Sequence, residues 1–274
     1  MYDAAAVREL FEKWGHDEVV GDPGETLSRW TVVRVNHMIL DQWMPAEGTV
    51  LDAGCGVGVE AVRMARRGLH VTALDISASL LQHASRRAEI AGVQDRITFV
   101  QADLTEPLPL PRDHFDMCDA LTGVVSHAGS RHREALANLG ACCKPGGTVL
   151  VGVDSYYGKI RQYLHEGRVE DAEHLADTRY TSTVSDAFED YCFTAQELIE
   201  LLADLGCQPE AMFAAPTVAA YGYVGASDET MRRGLELERR FLGTPELLGA
   251  GEQIVGVFRR LPRENTATCT PCLP

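Results

Sequence analysis

The sequence predicts an α/β fold, a mostly parallel sheet with helices on both faces, and three observations carry that expectation. Short apolar runs alternate with helical patterns from residue 50 to residue 153, and strands that alternate with helices imply a parallel sheet joined by right-handed crossovers. The runs are almost continuously apolar, as suits strands covered on both faces. The first of them leads into Asp52-Ala53-Gly54-Cys55-Gly56-Val57-Gly58. This is a glycine turn between a strand and a helix, where an open α/β sheet presents its backbone to a nucleotide-like ligand.

The elements follow in order. Residues 1–47 read as helical, with Val7, Leu10, Phe11 and Trp14 on one face and Val32, Val35, Ile39 and Trp43 on a second. This region is either a cap over a ligand or a pair of packing helices. Val50 to Ala53 is the first strand. Val59 to Arg67 is its helix, with Gly68 as a C-terminal stop. Leu69 to Leu74 is the second strand and ends at Asp75. Ser77 caps a helix that turns Leu80, Leu81, Ala84 and Ala88 inward. Ile97 to Val100, Phe115 to Ala120 and Thr148 to Val153 supply strands three to five, with a helix from Arg131 to Cys143 and the turn Lys144-Pro145-Gly146-Gly147 before the last of these. The rhythm then breaks. Residues 155–191 are polar and carry five tyrosines, and read as a mostly helical insertion. Thr194 and Glu197 form a capping box for a helix to Leu205. Strand six at about Gln208 to Ala214, an amphipathic helix over 228–242 and a last strand from Ile254 to Phe258 complete the body.

Composition narrows the function. At 274 residues, with 45% hydrophobic and 24% charged, the chain is one large domain or two small ones. It has no apolar run of membrane-spanning length, and Met1 to Lys13 lacks the basic-then-apolar pattern of a signal peptide. The expectation is a cytoplasmic protein without a membrane partner, monomeric or homodimeric. A net charge of −15 argues against a nucleic-acid substrate, which calls for a basic face. Six of the eight cysteines are scattered and read as small buried hydrophobes. Cys269 and Cys272 form a lone C-x-x-C in a tail, 264–274, without periodicity, and one such pair is a weak metal signal. No metal is expected.

The glycine turn departs from the dinucleotide-binding G-x-G-x-x-G, because Val59 stands at the third glycine position and Gly58 comes one residue early. That departure argues against a nicotinamide oxidoreductase. Asp52-x-Gly54-x-Gly56-x-Gly58 instead resembles motif I of the class I S-adenosylmethionine (SAM)-dependent methyltransferases. The resemblance implies a class I methyltransferase (Rossmann-like) sheet, mostly parallel with an antiparallel last strand, and a helical lid insertion after strand five. It divides the chain into an N-terminal helical cap (1–47), a methyltransferase domain (48–262, with 155–191 as lid or acceptor insertion) and a flexible tail (263–274).

Ligands in such sheets lie outside the carboxyl ends of the strands, so the residues ending each strand are the cofactor-binding candidates: Asp52, Gly54, Gly56 and Gly58; Asp75 and Ile76; Asp103 and Leu104; Asp119 and Ala120. Asp75 suits a pair of ribose hydroxyls, as the equivalent acid does in dinucleotide folds. The resemblance places Asp103 against the adenine amino group, with apolar neighbours along the ring, and Asp119-Ala120 near the methionine end and the acceptor pocket. Asp52 either orders the glycine turn or sits near the sulfonium. The expected cofactor is SAM, with S-adenosylhomocysteine as product.

The whole register resembles one subgroup, the tRNA carboxymethoxyuridine methyltransferases and their relatives. Leu27-Ser28-Arg29-Trp30, the length of the insertion, and Leu235 to Phe241 carry that likeness. It implies that Arg29 meets the cofactor carboxylate. The acceptor half diverges: Lys159, Arg161, Arg168 and Arg179 are interleaved with acids. A small-molecule or natural-product acceptor, methylated on oxygen or nitrogen, is therefore preferred. A tRNA acceptor is the alternative, and a non-catalytic SAM-binding module a further one. His127, just past strand four, is the candidate catalytic base, or else a structural histidine. Asp154, Tyr156 and Tyr157 either line the acceptor site or pack the insertion.

Overall fold

The computed structural model describes residues 2–16, 27–181, 189–218 and 227–262. The tail with Cys269 and Cys272 lies outside the described residues.

Seven strands form one sheet. In chain order they are β1 (Thr49–Ala53), β2 (His70–Asp75), β3 (Ile97–Gln101), β4 (Phe115–Ala120), β5 (Cys143–Asp154), β8 (Cys207–Ala215) and β9 (Gln253–Arg260), while β6 (Tyr180–Thr181) and β7 (Asp190–Tyr191) pair separately. The spatial order is β3-β2-β1-β4-β5-β9-β8. The first five are mutually parallel, and β9 runs antiparallel to both of its neighbours. The expected antiparallel last strand is thus present, but it lies inside the sheet, between β5 and β8. Its composition suits that position: Ile254, Val255, Val257 and Phe258 are all buried, so both of its faces are covered.

The helices are α1 (Ala4–His16), α2 (Leu27–Trp43), α3 (Val59–Arg66), α4 (Ala78–Ala91), α5 (Val124–His127), α6 (His132–Cys142), α7 (Tyr156–His165), α8 (Val169–Thr178), α9 (Ala195–Asp204) and α10 (Asp228–Phe241). Alternation along the strands divides the core. Leu51 and Ala53 of β1 face α6 and α9, where Leu136, Leu139, Leu198 and Leu202 pack. Val50 faces α2, α3 and α4, with Ile39, Leu40, Met64 and Ala88. The second N-terminal helix is therefore a core layer. Local chemistry sets the helix starts as expected: Ser77 Oγ accepts from Leu80 N, and Thr194 with Glu197 forms the capping box of α9.

Three boundaries differ from the sequence reading. Strand five begins at Cys143, because Lys144 to Gly147 is absorbed as an irregularity in the β4–β5 ladder, with Phe115 opposite Cys143 and Met117 opposite Thr148. A short helix, α5, follows β4, opened by Thr122 and Gly123 at positive φ. The 155–191 segment contains α7 and α8 but also the β6–β7 ladder. Much of its aromatic content is spent on packing. Tyr163 is buried with Leu175 and Cys192, Tyr191 stacks on His132 at 4.3 Å between ring centroids, and the Arg179 guanidinium lies 4.0 Å over the Tyr156 ring. Tyr157 is exposed. Among the described residues no helix is long and apolar enough to cross a membrane.

Candidate active site

The glycine turn sits at the carboxyl end of β1 and is held from both sides. Gly54 N and Cys55 N donate to Leu74 O, and Gly56 N donates to Asp75 Oδ2 at 2.8 Å. All three glycines have positive φ, which favours a residue without Cβ. Their surroundings differ. A Cβ on Gly54 would fall 2.6 Å from Val124 of α5, and one on Gly58 2.8 Å from Ala84 of α4, whereas one on Gly56 would meet nothing within 4 Å. The outer glycines wedge the turn between two helices, and the middle one faces open space. Gly54→Ala is therefore expected to destabilise the fold. Gly56→Ala should stay folded, at a local backbone cost of about 1–2 kcal/mol, and lose ligand affinity. Thermal melts alongside ligand titration check both expectations.

Asp75 accepts from Gly56 N at one oxygen and from Ser77 N, at 2.9 Å, at the other. Burial pushes its pKa up against the pull of these amides. A carboxylate has about four acceptor positions, so two amides leave capacity for a diol. Ile76 follows and its carbonyl accepts from Gln101 Nε2. Asp103 lies two residues past β3 and accepts from Thr105 N and Oγ1, each at 2.8 Å, and from Tyr2 Oη at 2.9 Å. Leu104 is buried in the core behind it.

The hydrogen bond from Tyr2 is part of a larger set of N-terminal contacts, of which the sequence reading named neither Tyr2 nor Glu12. Glu12 of α1 takes the Ala78 and Ser79 amides at 2.7 and 3.0 Å, capping α4 from another helix. Phe11 lies 5.6 Å from the His127 ring. Tyr2 and helix α1 together thus span the strand ends, Tyr2 touching Asp103 and the helix touching the start of α4 and His127. Arg29 falls in α2, but its side chain lies outside the described residues.

Below the glycine turn lies a pair of acids. Strands β1 and β4 place Asp52 opposite Asp119, and Ala120 continues β4 into the core. Both acids are buried, and Asp52 Oδ2 and the two Asp119 carboxylate oxygens have no hydrogen-bond partner. Burial, and then the charge of neighbouring acids, holds both carboxyls well above the usual range. Asp119 and Glu60 act on Asp52, and Glu60 acts on Asp119. Buried polar groups are normally satisfied, and a carboxylate without a partner there is costly. An open glycine cradle beside unpartnered acids therefore fits a ligand with a cationic end, and it fits the charged methionine moiety of SAM.

His127 closes the other side of the site. It ends α5, the helix against which Gly54 is wedged. Its Nδ1 lies 2.7 Å from Oδ1 of Asp190, which is fully buried on β7. The Asp190 carboxylate accepts a hydrogen bond from Nδ1–H and so leaves Nε2 as the lone-pair nitrogen of the neutral ring. Burial opposes charging His127, but the nearby Asp190 and Asp154 outweigh it and its pKa is raised. Asp190 was invisible in the sequence, because nothing local ties it to a histidine 63 residues earlier. The six described cysteines are buried and free.

Residues 50–147 match the family described as "Methyltransferase domain". An uncharacterized methyltransferase of Mycobacterium tuberculosis is 41% identical over 41% of this chain and 54% of its own. The tRNA 5-carboxymethoxyuridine methyltransferase of Escherichia coli is 29% identical over 48% of this chain and 50% of its own. The chain spans about half the length of these curated relatives. Among solved structures, the 1,6-didemethyltoxoflavin-N1-methyltransferase of Burkholderia thailandensis, bound to 1,6-didemethyltoxoflavin and S-adenosylhomocysteine, is similar at TM-score 0.58. It is 20% identical, over 94% of this chain and 89% of that one. At that identity the likeness speaks to the fold alone.

Proposed function

We infer, from a chain that carries a class I SAM-dependent methyltransferase domain, that the protein moves a methyl group from SAM to a small-molecule acceptor, on oxygen or nitrogen. The observation that carries this reading is the placement of two complementary halves on one sheet edge. An open glycine turn over unpartnered acids suits the cofactor, and a histidine oriented by a buried carboxylate stands on the adjoining helix. In this reading Asp75 holds the ribose, Asp103 the adenine edge with Ile76 and Leu104 beside it, and Asp52, Asp119, Ala120 and Arg29 the methionine end. Helix α1, with α7, α8 and the β6–β7 ladder, closes the site in this reading. SAM supplies a methyl group already activated on sulfur, so the protein's task is proximity and alignment, with a base where the acceptor must lose a proton. His127 is that base and Asp190 its positioning residue.

The tRNA reading has one observation in its favour. A cleft of about 490 Å³ between α3 and α4 is lined by His37, Arg63, Arg66, Arg67, Arg87 and Ile90. Asp41 engages Arg63 and Arg67 there, so one acid stands against four arginines and the cleft keeps a positive balance.

Calorimetric titration with S-adenosylhomocysteine tests the cofactor half. Wild type should bind in the micromolar range, roughly −8 kcal/mol, and Asp75→Ala should bind at least about tenfold more weakly. Well-folded wild type that does not bind sinks the reading. Transfer of labelled methyl to small molecules but not to unmodified tRNA then separates the two acceptor classes.

A further inference from the structure

Past His127 the site holds a second polar group that methyl transfer alone does not require. Gly123 has φ +89°, and a Cβ there would sit 3.5 Å from His127 Nε2 and 3.7 Å from Asp154 Oδ1. These are ordinary contact distances, so a methyl-sized space lies between imidazole and carboxyl, left by the missing side chain. Asp154 ends β5 and is only 8% exposed, and its Oδ2 has no hydrogen-bond partner.

Its backbone is tied down on two sides. Asp154 N donates to Ser126 Oγ at 2.9 Å, fixing β5 to the helix that carries His127, and Asp154 O accepts from Phe193 N at 2.8 Å. The backbone that carries the carboxyl is thus fixed relative to the base; the Lys159 charge acts on the carboxyl, yet its buried Oδ2 is left without a hydrogen-bond donor, which is unfavourable. Asp190 orients the imidazole, so Asp154 is free of that task.

We propose that the methyl acceptor carries two neighbouring protic groups, as in a catechol, a 1,2-diol or a vicinal amino alcohol, and that Asp154 binds the group that is not methylated. This rests on the methyl-transfer reading above and names the substrate class of that same site. One acceptor group faces His127 Nε2. As its oxygen or nitrogen lone pair forms the new bond to the methyl carbon, the carbon–sulfur bond breaks and its electron pair stays on sulfur. The acceptor's proton passes to Nε2, giving an imidazolium held by Asp190, which later releases the proton to solvent. The second group, a hydroxyl or ammonium, donates to the Asp154 carboxyl, whose Oδ1 borders that space, and so supplies a donor to a group whose other oxygen has none. A site built to receive a donor rejects analogues lacking it far more strongly than an apolar pocket does.

The test measures labelled-methyl transfer from SAM to matched pairs: catechol and phenol, 2-aminophenol and aniline, trans-cyclohexane-1,2-diol and cyclohexanol. Wild type and Asp154→Asn are compared, each first shown by calorimetry to bind S-adenosylhomocysteine. The expected result is turnover of at least one vicinal member at least about tenfold faster than its single-group partner, with that ratio collapsing in Asp154→Asn. The proposal is overturned by equal turnover within the pairs, by no turnover of any vicinal member, or by a preference that survives in Asp154→Asn. Failure of wild type to bind S-adenosylhomocysteine would instead remove the methyltransferase reading itself.

Discussion

Asp119→Asn is expected to raise the melting temperature and to weaken cofactor binding, two opposite effects with one cause. Both Asp119 oxygens are buried without partners, and Asp119 lies opposite Asp52 across the β1–β4 ladder. Neutralising Asp119 removes the mutual repulsion, and the new amide can donate to Asp52 Oδ2. One new hydrogen bond in place of the repulsion is worth about 0.5–1.5 kcal/mol, a rise of a few degrees for a chain of this size. The sign of the pH dependence follows from the raised pKa values. The folded state binds more protons than the unfolded one, so stability falls as pH climbs above the unfolded carboxyl value, about 4. The advantage of Asp119→Asn should therefore be absent near pH 3 and grow through neutral pH.

The cofactor's cationic end reverses the argument, because it supplies the charge the acids lack. Loss of one charge-assisted contact, about 1.5–3 kcal/mol, corresponds to roughly a 10- to 100-fold weaker affinity for S-adenosylhomocysteine. Binding should also release protons, visible as a dependence of the calorimetric heat on the buffer's ionisation enthalpy. A variant that melts lower and binds as wild type would refute this account of the pair.

Substitution at His127 and Asp190 should act on catalysis and leave the cofactor in place. Removal of a general base costs about 10²- to 10⁴-fold in rate, so His127→Ala should lose methyl transfer while S-adenosylhomocysteine affinity stays within a few-fold. Asp190→Asn is more informative. The Asn side chain retains the volume but loses the charge that raises the His127 pKa. Titration of the imidazole by NMR should show a lower pKa in the variant and a loss of the Nδ1-protonated tautomer. The rate in wild type should rise with pH through a value above the ordinary 6.5 and then level. The stability contributed by the pair follows the other sign. It is full below the unfolded histidine value and is lost as pH rises through the folded one. An unchanged imidazole titration in Asp190→Asn would show that the contact is structural only.

What the sequence disclosed and what it withheld divide along sequence distance. Ser77 and the Thr194–Glu197 box act within one helical turn, so their geometry is written in local spacing. The strands follow from short apolar runs, and the glycine turn from its own motif. Asp190 reaches His127, Tyr2 reaches Asp103, and Glu12 reaches the start of α4 only once the chain has folded. No periodicity marks such pairs, because each partner reads locally as an ordinary polar surface residue. Asp119 is intermediate. Its place at a strand end was legible, but its isolation beside Asp52 depends on the register of two strands that only the fold supplies.

The interior position of β9 also sets an order of events during synthesis. Among the described residues strand β8 pairs with β9 alone, and β9 reaches back about one hundred residues to β5. Until residues 253–260 have left the ribosome, β5 presents a bare edge and β8 has no neighbour. A chain stopped at residue 252 therefore forfeits two strands of the seven, and the late arrival of a distant partner makes closure of this sheet the slow, aggregation-exposed stage of folding.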